Sequence, residues 1–253
     1  MTASLAMYDW PETAAANDAF WALIHGRLQD RGIEAPTRLH RTSDLWSVWQ
    51  DPDLVLAQTC GMPYRTKLRD RVALVGTPDY ALPGAPPGYY YSQIIARKSD
   101  ERPLEAFHDS VLAYNDDVSQ SGWAAVQNHA AGLGFAFTNL LRTGAHRDSA
   151  EAVAEGRADL AAIDAVTWRL IERYRPQLAA RLRVVARSDP TPGLPLITAA
   201  SRDPAPLAEA VREAIADLPF PHRDNLGISG LIDIPAGAYL AVPTPSDPQD
   251  IRA

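Results

Sequence analysis

Ser119-Gln120-Ser121-Gly122-Trp123, Thr143-Gly144-Ala145-His146-Arg147-Asp148-Ser149-Ala150 and Ala161-Ala162-Ile163-Asp164-Ala165-Val166-Thr167-Trp168 are the three segments on which the reading of this chain turns. Each opens a helix. The first two place Ser, Thr and Gly where a helix's first N–H groups have no partner within the helix, and such a terminus accepts a phosphate-like or carboxylate oxygen. The third ends an apolar strand on an acid. The expectation is that all three close on one small anion.

Each residue also has a plainer role. Ser119, Ser121 and Gly122 suit a helix N-cap for stability alone, and the weight of the motif comes from a second such start nearby. That second start carries His146, which as a neutral imidazole donates one proton to an oxyanion and two when protonated, so anion binding is expected to raise its pKa. Arg147 must diverge from His146 on the first turn of the helix and is read as solvent-facing. Asp164 suits the N-cap of the following helix, yet it stands at the carboxyl end of a strand. Facing an anion, it requires a ligand that carries a cation, a hydroxyl or a proton to donate. His25, His40, His108, His129 and His222 have no metal-ligand spacing, so no metal and no cofactor are expected.

Outward from these segments the chain alternates strand and helix. Strands are expected at 4–8, 37–41 and 54–58, with helices at 12–31 and, capped by Ser43, around Leu45, Trp46 and Trp49. Further strands follow at 72–75 and 89–96 on either side of a Pro- and Gly-rich stretch. A second unit then reads as strand 111–115, helix 122–131, extended 135–140, helix 149–155, strand 158–163, helix 164–174 and strand 182–186. After Pro190-Thr191-Pro192-Gly193 come a strand at 196–198, a helix at 207–218 and two short strands at 228–234 and 239–242. The alternation predicts an α/β chain of two lobes, each a mostly parallel sheet flanked by helices, whose ligand crevice lies beyond the carboxyl ends of the strands. Lobe 1 takes 1–90 and 189–253, lobe 2 is inserted at 91–188, and the two extended crossings form a hinge. Tyr8 and Trp10 end one strand of lobe 1. Cys60-Gly61-Met62-Pro63-Tyr64 ends another, and Gly61 and Pro63 predict a tight exposed turn that presents Tyr64. Cys60 reads as a small apolar residue, since no His or Lys beside it lowers its pKa.

Composition narrows the partners. In 253 residues, 31 acids outnumber 24 bases for a net charge of -7, with no basic run, which argues against nucleic acid. One cysteine allows neither an internal disulfide nor a Cys-based metal cage. No window reaches the length and apolarity of a membrane span, so no membrane insertion is expected. The first ten residues carry no basic region, apolar run or cleavage site. The protein is therefore expected in the periplasm if an export signal was removed, and in the cytoplasm for the sequence as given.

These segments, at this spacing, resemble the substrate-binding proteins of phosphate, phosphite and phosphonate ABC importers, a branch of the type II periplasmic binding proteins. The resemblance spans almost the whole chain. It implies the two-lobe fold, a small oxyanion ligand and, if the protein is exported, an ABC permease as partner. By the same resemblance Ser119, Gln120 and Ser121 match the family's Ser-rich segment, His146 and Ser149 its Gly/Ser-His segment, and Asp164 the strand that ends in Asp. Tyr8 and Tyr64 match aromatics contributed by the other lobe. Gln120 stands where the family usually has Thr, replacing a hydroxyl by a bulkier amide. Beyond Asp164 there is no match for the second acid that holds a ligand ammonium group, so an aminoalkylphosphonate is disfavoured. The long C-terminal helix with which some members dimerise is missing, and a monomer is expected.

Two other classes stay open on the residues. A cytosolic enzyme of cofactor biosynthesis on the same fold would need a base or nucleophile, for which only His146, Asp164 and Cys60 are available. A ligand-sensing domain is the third reading, though nothing basic or helix-turn-helix-like accompanies it.

Overall fold

A computed structural model describes residues 1–42 and 44–251; Ser43, expected to cap a helix, lies outside them. The chain divides into two compact units, Met1–Tyr89 with Pro192–Ala241, and Tyr90–Thr191 with Val242–Ala253. The tail from Val242, expected with the first lobe, joins the second unit. Two side-chain hydrogen bonds hold it there, from Trp123 Nε1 to the Ser246 carbonyl (3.3 Å) and from Asn128 Nδ2 to that of Pro243 (3.0 Å).

Unit 1 begins with strand β1 (Thr2–Ser4) and a 3-10 turn, Ala6–Tyr8, where a longer strand was expected. Helix α1 (Ala14–Asp30) follows, burying Ala16, Phe20, Trp21, Ile24 and Leu28 at helical spacing and stopping before Gly32, whose φ of 69° ends the helix in the left-handed region. The strand expected at 37–41 is not formed; one backbone bond, His40 N–H to the Ala3 carbonyl, takes its place. Helix α2 (Leu45–Trp49) is capped by Asp44, which accepts from Ser47 N–H. Strand β2 (Leu54–Gln58) is buried at all five positions, as a central strand with both faces covered should be. Helix α3 (Gly61–Pro63) runs on into a π-helical turn, Tyr64–Leu68, and β3 (Val72–Asp79) and β4 (Tyr89–Tyr90) complete this pass.

Unit 2 contains β5 (Ser92–Arg97), β6 (Leu112–Tyr114), a π-helical turn (Gln120–Ala124) leading into α4 (Ala125–Gly132), β7 (Leu140–Arg142), α5 (His146–Ala154), β8 (Leu160–Asp164), α6 (Ala165–Tyr174), α7 (Pro176–Ala179), β9 (Leu182–Arg187) and β10 (Thr191–Pro192). Its sheet has the order β7-β6-β8-β5-β9. The β7-β6 and β6-β8 pairs are parallel, and β5 runs antiparallel to both of its neighbours. Arg97 and Arg181 donate to the carbonyls of Val153 and Ala154, closing the C-terminus of α5 with positive charge.

The returning chain adds β11 (Leu196–Ala199), α8 (Ala205–Asp217), α9 (Phe220–Leu226), β12 (Gly230–Ile232) and α10 (Ala236–Leu240) to unit 1, before the short α11 (Pro248–Ile251) in the tail. The unit 1 sheet has the order β1-β2-β11-β3-β12. Here too the sheet is mixed rather than mostly parallel: β1 and β2 pair in parallel, while β11 inserts between β2 and β3 antiparallel to both. The cause is topological, since β11 enters from the opposite end on its return. Helix α8 packs Leu207, Val211, Ala214 and Ile215 into the same core as α1, and Arg31 joins the pair through Glu213 at 2.7 Å. The second strand expected at the end, 239–242, is instead α10, whose Tyr239 is buried against Tyr64.

Candidate functional site

The three segments converge within unit 2. Ser119 is the N-cap of the turn that opens at Gln120, its hydroxyl accepting from Gly122 N–H at 2.9 Å, and Gln120, Ser121 and Gly122 are all buried. Ser121 Oγ lies 2.8 Å from His146 Nε2 at the start of α5. His146 Nδ1 lies 3.1 Å from the carbonyl of Ala162 on β8, two residues before Asp164. Desolvation of the ring pushes the His146 pKa down to about 4, against a smaller opposing effect of the Ala162 bond. The residue is not fully buried overall, but both ring nitrogens are enclosed by protein partners, so the ring is neutral near pH 7.

Residues without a sequence signature build the rest. Ser92, opposite Asp164 in the β5-β8 ladder, donates its hydroxyl to the Ser121 carbonyl at 2.9 Å, and its own N–H donates to Ser188 Oγ. Asn115 Oδ1 is buried without a hydrogen-bond partner and presses on Gly122. A Cβ at residue 122 would stand 1.9 Å from that oxygen and 3.1 Å from His146 Cε1, so only glycine fits. Asp164 accepts from Val166 and Thr167 N–H at 2.7 and 3.0 Å, which makes it the N-cap of α6 as well as a buried carboxylate beside the cluster. Ser149 is placed differently: its hydroxyl is fully buried and shares a 2.7 Å hydrogen bond with Thr143, bracing the loop into α5.

Charge near the cluster is already paired. Arg142 is held by Asp116 at 2.6 Å and Asp117 at 3.8 Å, and Arg147 by Asp148 at 3.6 Å and Glu151 at 4.0 Å. Among the described residues no group of three or more His, Cys, Asp and Glu could hold a metal ion, and no helix is long and apolar enough to cross a membrane.

The unit 1 residues take other positions. Tyr64 is not presented on an exposed turn; it is 3% exposed, stacks edge-on with Tyr239, and burial raises its pKa. Pro63 is the reason, because in the first turn of a helix proline costs no internal hydrogen bond, so Gly61-Met62-Pro63 starts a helix instead of a turn. Tyr8 is buried and T-stacked on Tyr80, while the backbone of Trp10 anchors the start of α1 through Thr13 and Ala14. At the carboxyl ends of β1 and β2, Ser4 and Thr59 each bury a hydroxyl that has no protein partner. Cys60 follows Thr59 in the chain, half-buried and in no disulfide. An open groove of roughly 490 Å³, lined by Thr2, His40, Trp46 and Asp51, lies on another part of unit 1.

The family model described as "ABC transporter, phosphonate, periplasmic substrate-binding protein" matches residues 59–230, well over half of the chain. The chain belongs to that family. No curated protein matches it in sequence. Among solved structures, PhnD1 of Prochlorococcus marinus, in complex with methylphosphonate, superposes with a TM-score of 0.72 at 13% identity, covering 94% of each chain. XAC2383 from Xanthomonas citri, bound to ATP, gives 0.68 at 15% identity, covering 94% of this chain and 92% of that one. A binding protein component of an ABC phosphonate transporter from Pseudomonas aeruginosa gives 0.65 at 17% identity, covering 92% of this chain and 82% of that one. At such identities these likenesses establish the fold, the two-lobe periplasmic binding architecture; the family rests on the match to residues 59–230.

Proposed function

We propose that this member of the phosphonate-binding family uses the Ser119–Ser121, His146 and Asp164 cluster of unit 2 to hold a small phosphorus oxyanion, and that it delivers the ligand to an ABC permease without chemical change. The observation that carries this reading is the convergence of three helix starts, two of them linked by the 2.8 Å Ser121–His146 hydrogen bond. A helix start with hydroxyls and backbone amides stabilises an anion through many modest bonds, each worth about 1.5–3 kcal/mol when the acceptor is charged. Gln120 fits a compact ligand, since its amide occupies space that a hydroxyl residue would leave open. Binding without turnover is supported by His146, whose depressed pKa makes it a weak base and which is oriented by a carbonyl instead of a carboxylate.

Calorimetry with methylphosphonate, phosphite and phosphate tests the proposal. The wild type binds at least one of them, and Ser121→Ala weakens that binding about ten- to a hundredfold while the protein stays folded, at a cost of about 1–3 kcal/mol for the His146 nitrogen left without its donor. Unchanged affinity together with a lowered melting temperature would make Ser121 a structural residue and remove the cluster from the binding role.

A further inference from the structure

The direction of each hydrogen bond in the cluster determines what it can offer a ligand. The Ala162 carbonyl has only lone pairs, so His146 Nδ1, 3.1 Å away, must carry the ring proton. A neutral ring then presents a lone pair at Nε2, and the 2.8 Å bond there runs from the Ser121 hydroxyl to the imidazole. A hydroxyl has one proton. Ser121 Oγ therefore faces a ligand with lone pairs alone. Ser119 differs: its oxygen accepts from Gly122 N–H, leaving its proton to donate. Asp164, whose carboxylate caps α6, adds a second acceptor beside Ala162.

We infer that this cluster is built for an oxyanion that brings a proton of its own, the singly charged P–OH form of a phosphonate, phosphite or phosphate, which donates that proton to the Ser121 oxygen. The inference rests on the cluster being the oxyanion site. A fully ionised ligand would set its lone pairs against those of Ser121, a mismatch that costs far more in a buried site than in water. Three nearby guanidinium groups are already engaged: Arg142 is held by Asp116 and Asp117, Arg147 by Asp148 and Glu151, and Arg97 by Asp159. Nor does His146 become a second donor between pH 5 and 8, because burial keeps its ring neutral down to about 4.

Methanesulfonate separates proton from charge. It shares the shape and the single charge of methylphosphonate monoanion but has no proton to donate. Calorimetry on the full chain should show methanesulfonate binding about a hundredfold or more weaker than methylphosphonate. The affinity for methylphosphonate should fall about tenfold per pH unit above its second ionisation, in step with the monoanion population. Ser121→Ala should narrow the ratio between the two ligands. Equal affinities, or a flat pH profile across that ionisation, would overturn the inference while leaving the oxyanion site standing. Failure of the wild type to bind methylphosphonate, phosphite or phosphate at any pH would overturn the site itself, and the inference with it.

Discussion

A second proton on His146 would reverse one bond and bury a cation. Nδ1 already donates to Ala162, and Nε2 receives from Ser121, so on charging the ring the Ser121 hydroxyl must turn from donor to acceptor. The ring's pKa falls from 6.5 to about 4 in the folded protein, chiefly by desolvation. Between those values the unfolded chain binds more protons than the folded one, so stability is complete above the unfolded value and is lost as pH falls towards 4. The loss amounts to at most about 1.4 kcal/mol per pH unit, less where solvent relaxes around the ring. Urea midpoints measured from pH 7 to 4 should therefore fall more steeply for the wild type than for His146→Gln; parallel curves would mean that His146 is solvated. At this scale the sequence was informative wherever capping chemistry has a signature, as at Ser119 and Asp164. Ser92, Ser188 and Asn115 were illegible because strand register brings them in, and no local pattern records it. The proton expected of His146 as a donor faces a backbone carbonyl sixteen residues away, which no local pattern records.

Each unit has a π-helical turn in one of its helical segments: Tyr64–Leu68 closes one in unit 1, and Gln120–Ala124 opens one in unit 2. The wider turn holds one residue more than an α-helical phase would, and such turns recur at functional sites. In unit 2 it seats Gly122 against Asn115 Oδ1, so Gly122→Ala should cost about 1–3 kcal/mol in stability through overpacking. The same substitution should impair methylphosphonate binding by displacing His146. Gly132→Ala is the control: it ends α4 in open space and should leave stability unchanged or raise it by up to about 1 kcal/mol. Equal effects from the two, read by urea denaturation, would contradict the packing at Gly122. Helices α1, α5, α6 and α8 were legible from apolar spacing and stop signals. The strands expected at 37–41 and 239–242 were not, because short apolar runs carry no phase and tertiary packing decides them.

At the scale of the whole molecule, β11 occupies the middle of the unit 1 sheet, hydrogen-bonded to β2 on one side and β3 on the other, although it lies far along the chain from both. Alternation along the chain led to the expectation of a mostly parallel sheet, because nothing local marks a strand that returns from the far side of an inserted unit. A chain truncated after Thr191 retains every strand of the unit 2 sheet but lacks β11, β12 and α8. Limited proteolysis of that fragment should cut rapidly within 1–89 and slowly within 90–191, and extension to Ala241 should protect both; equal protection of 1–89 in the short fragment would contradict the topology. The same topology sets a timetable on the ribosome. At about 5–20 residues per second, β11 is made roughly 6–23 s after β3. During that interval β2 and β3 are finished strands with no partner on their facing edges, so the nascent protein presents a β1-β2 pair with one open edge and a lone β3 to whatever binds unpaired strands.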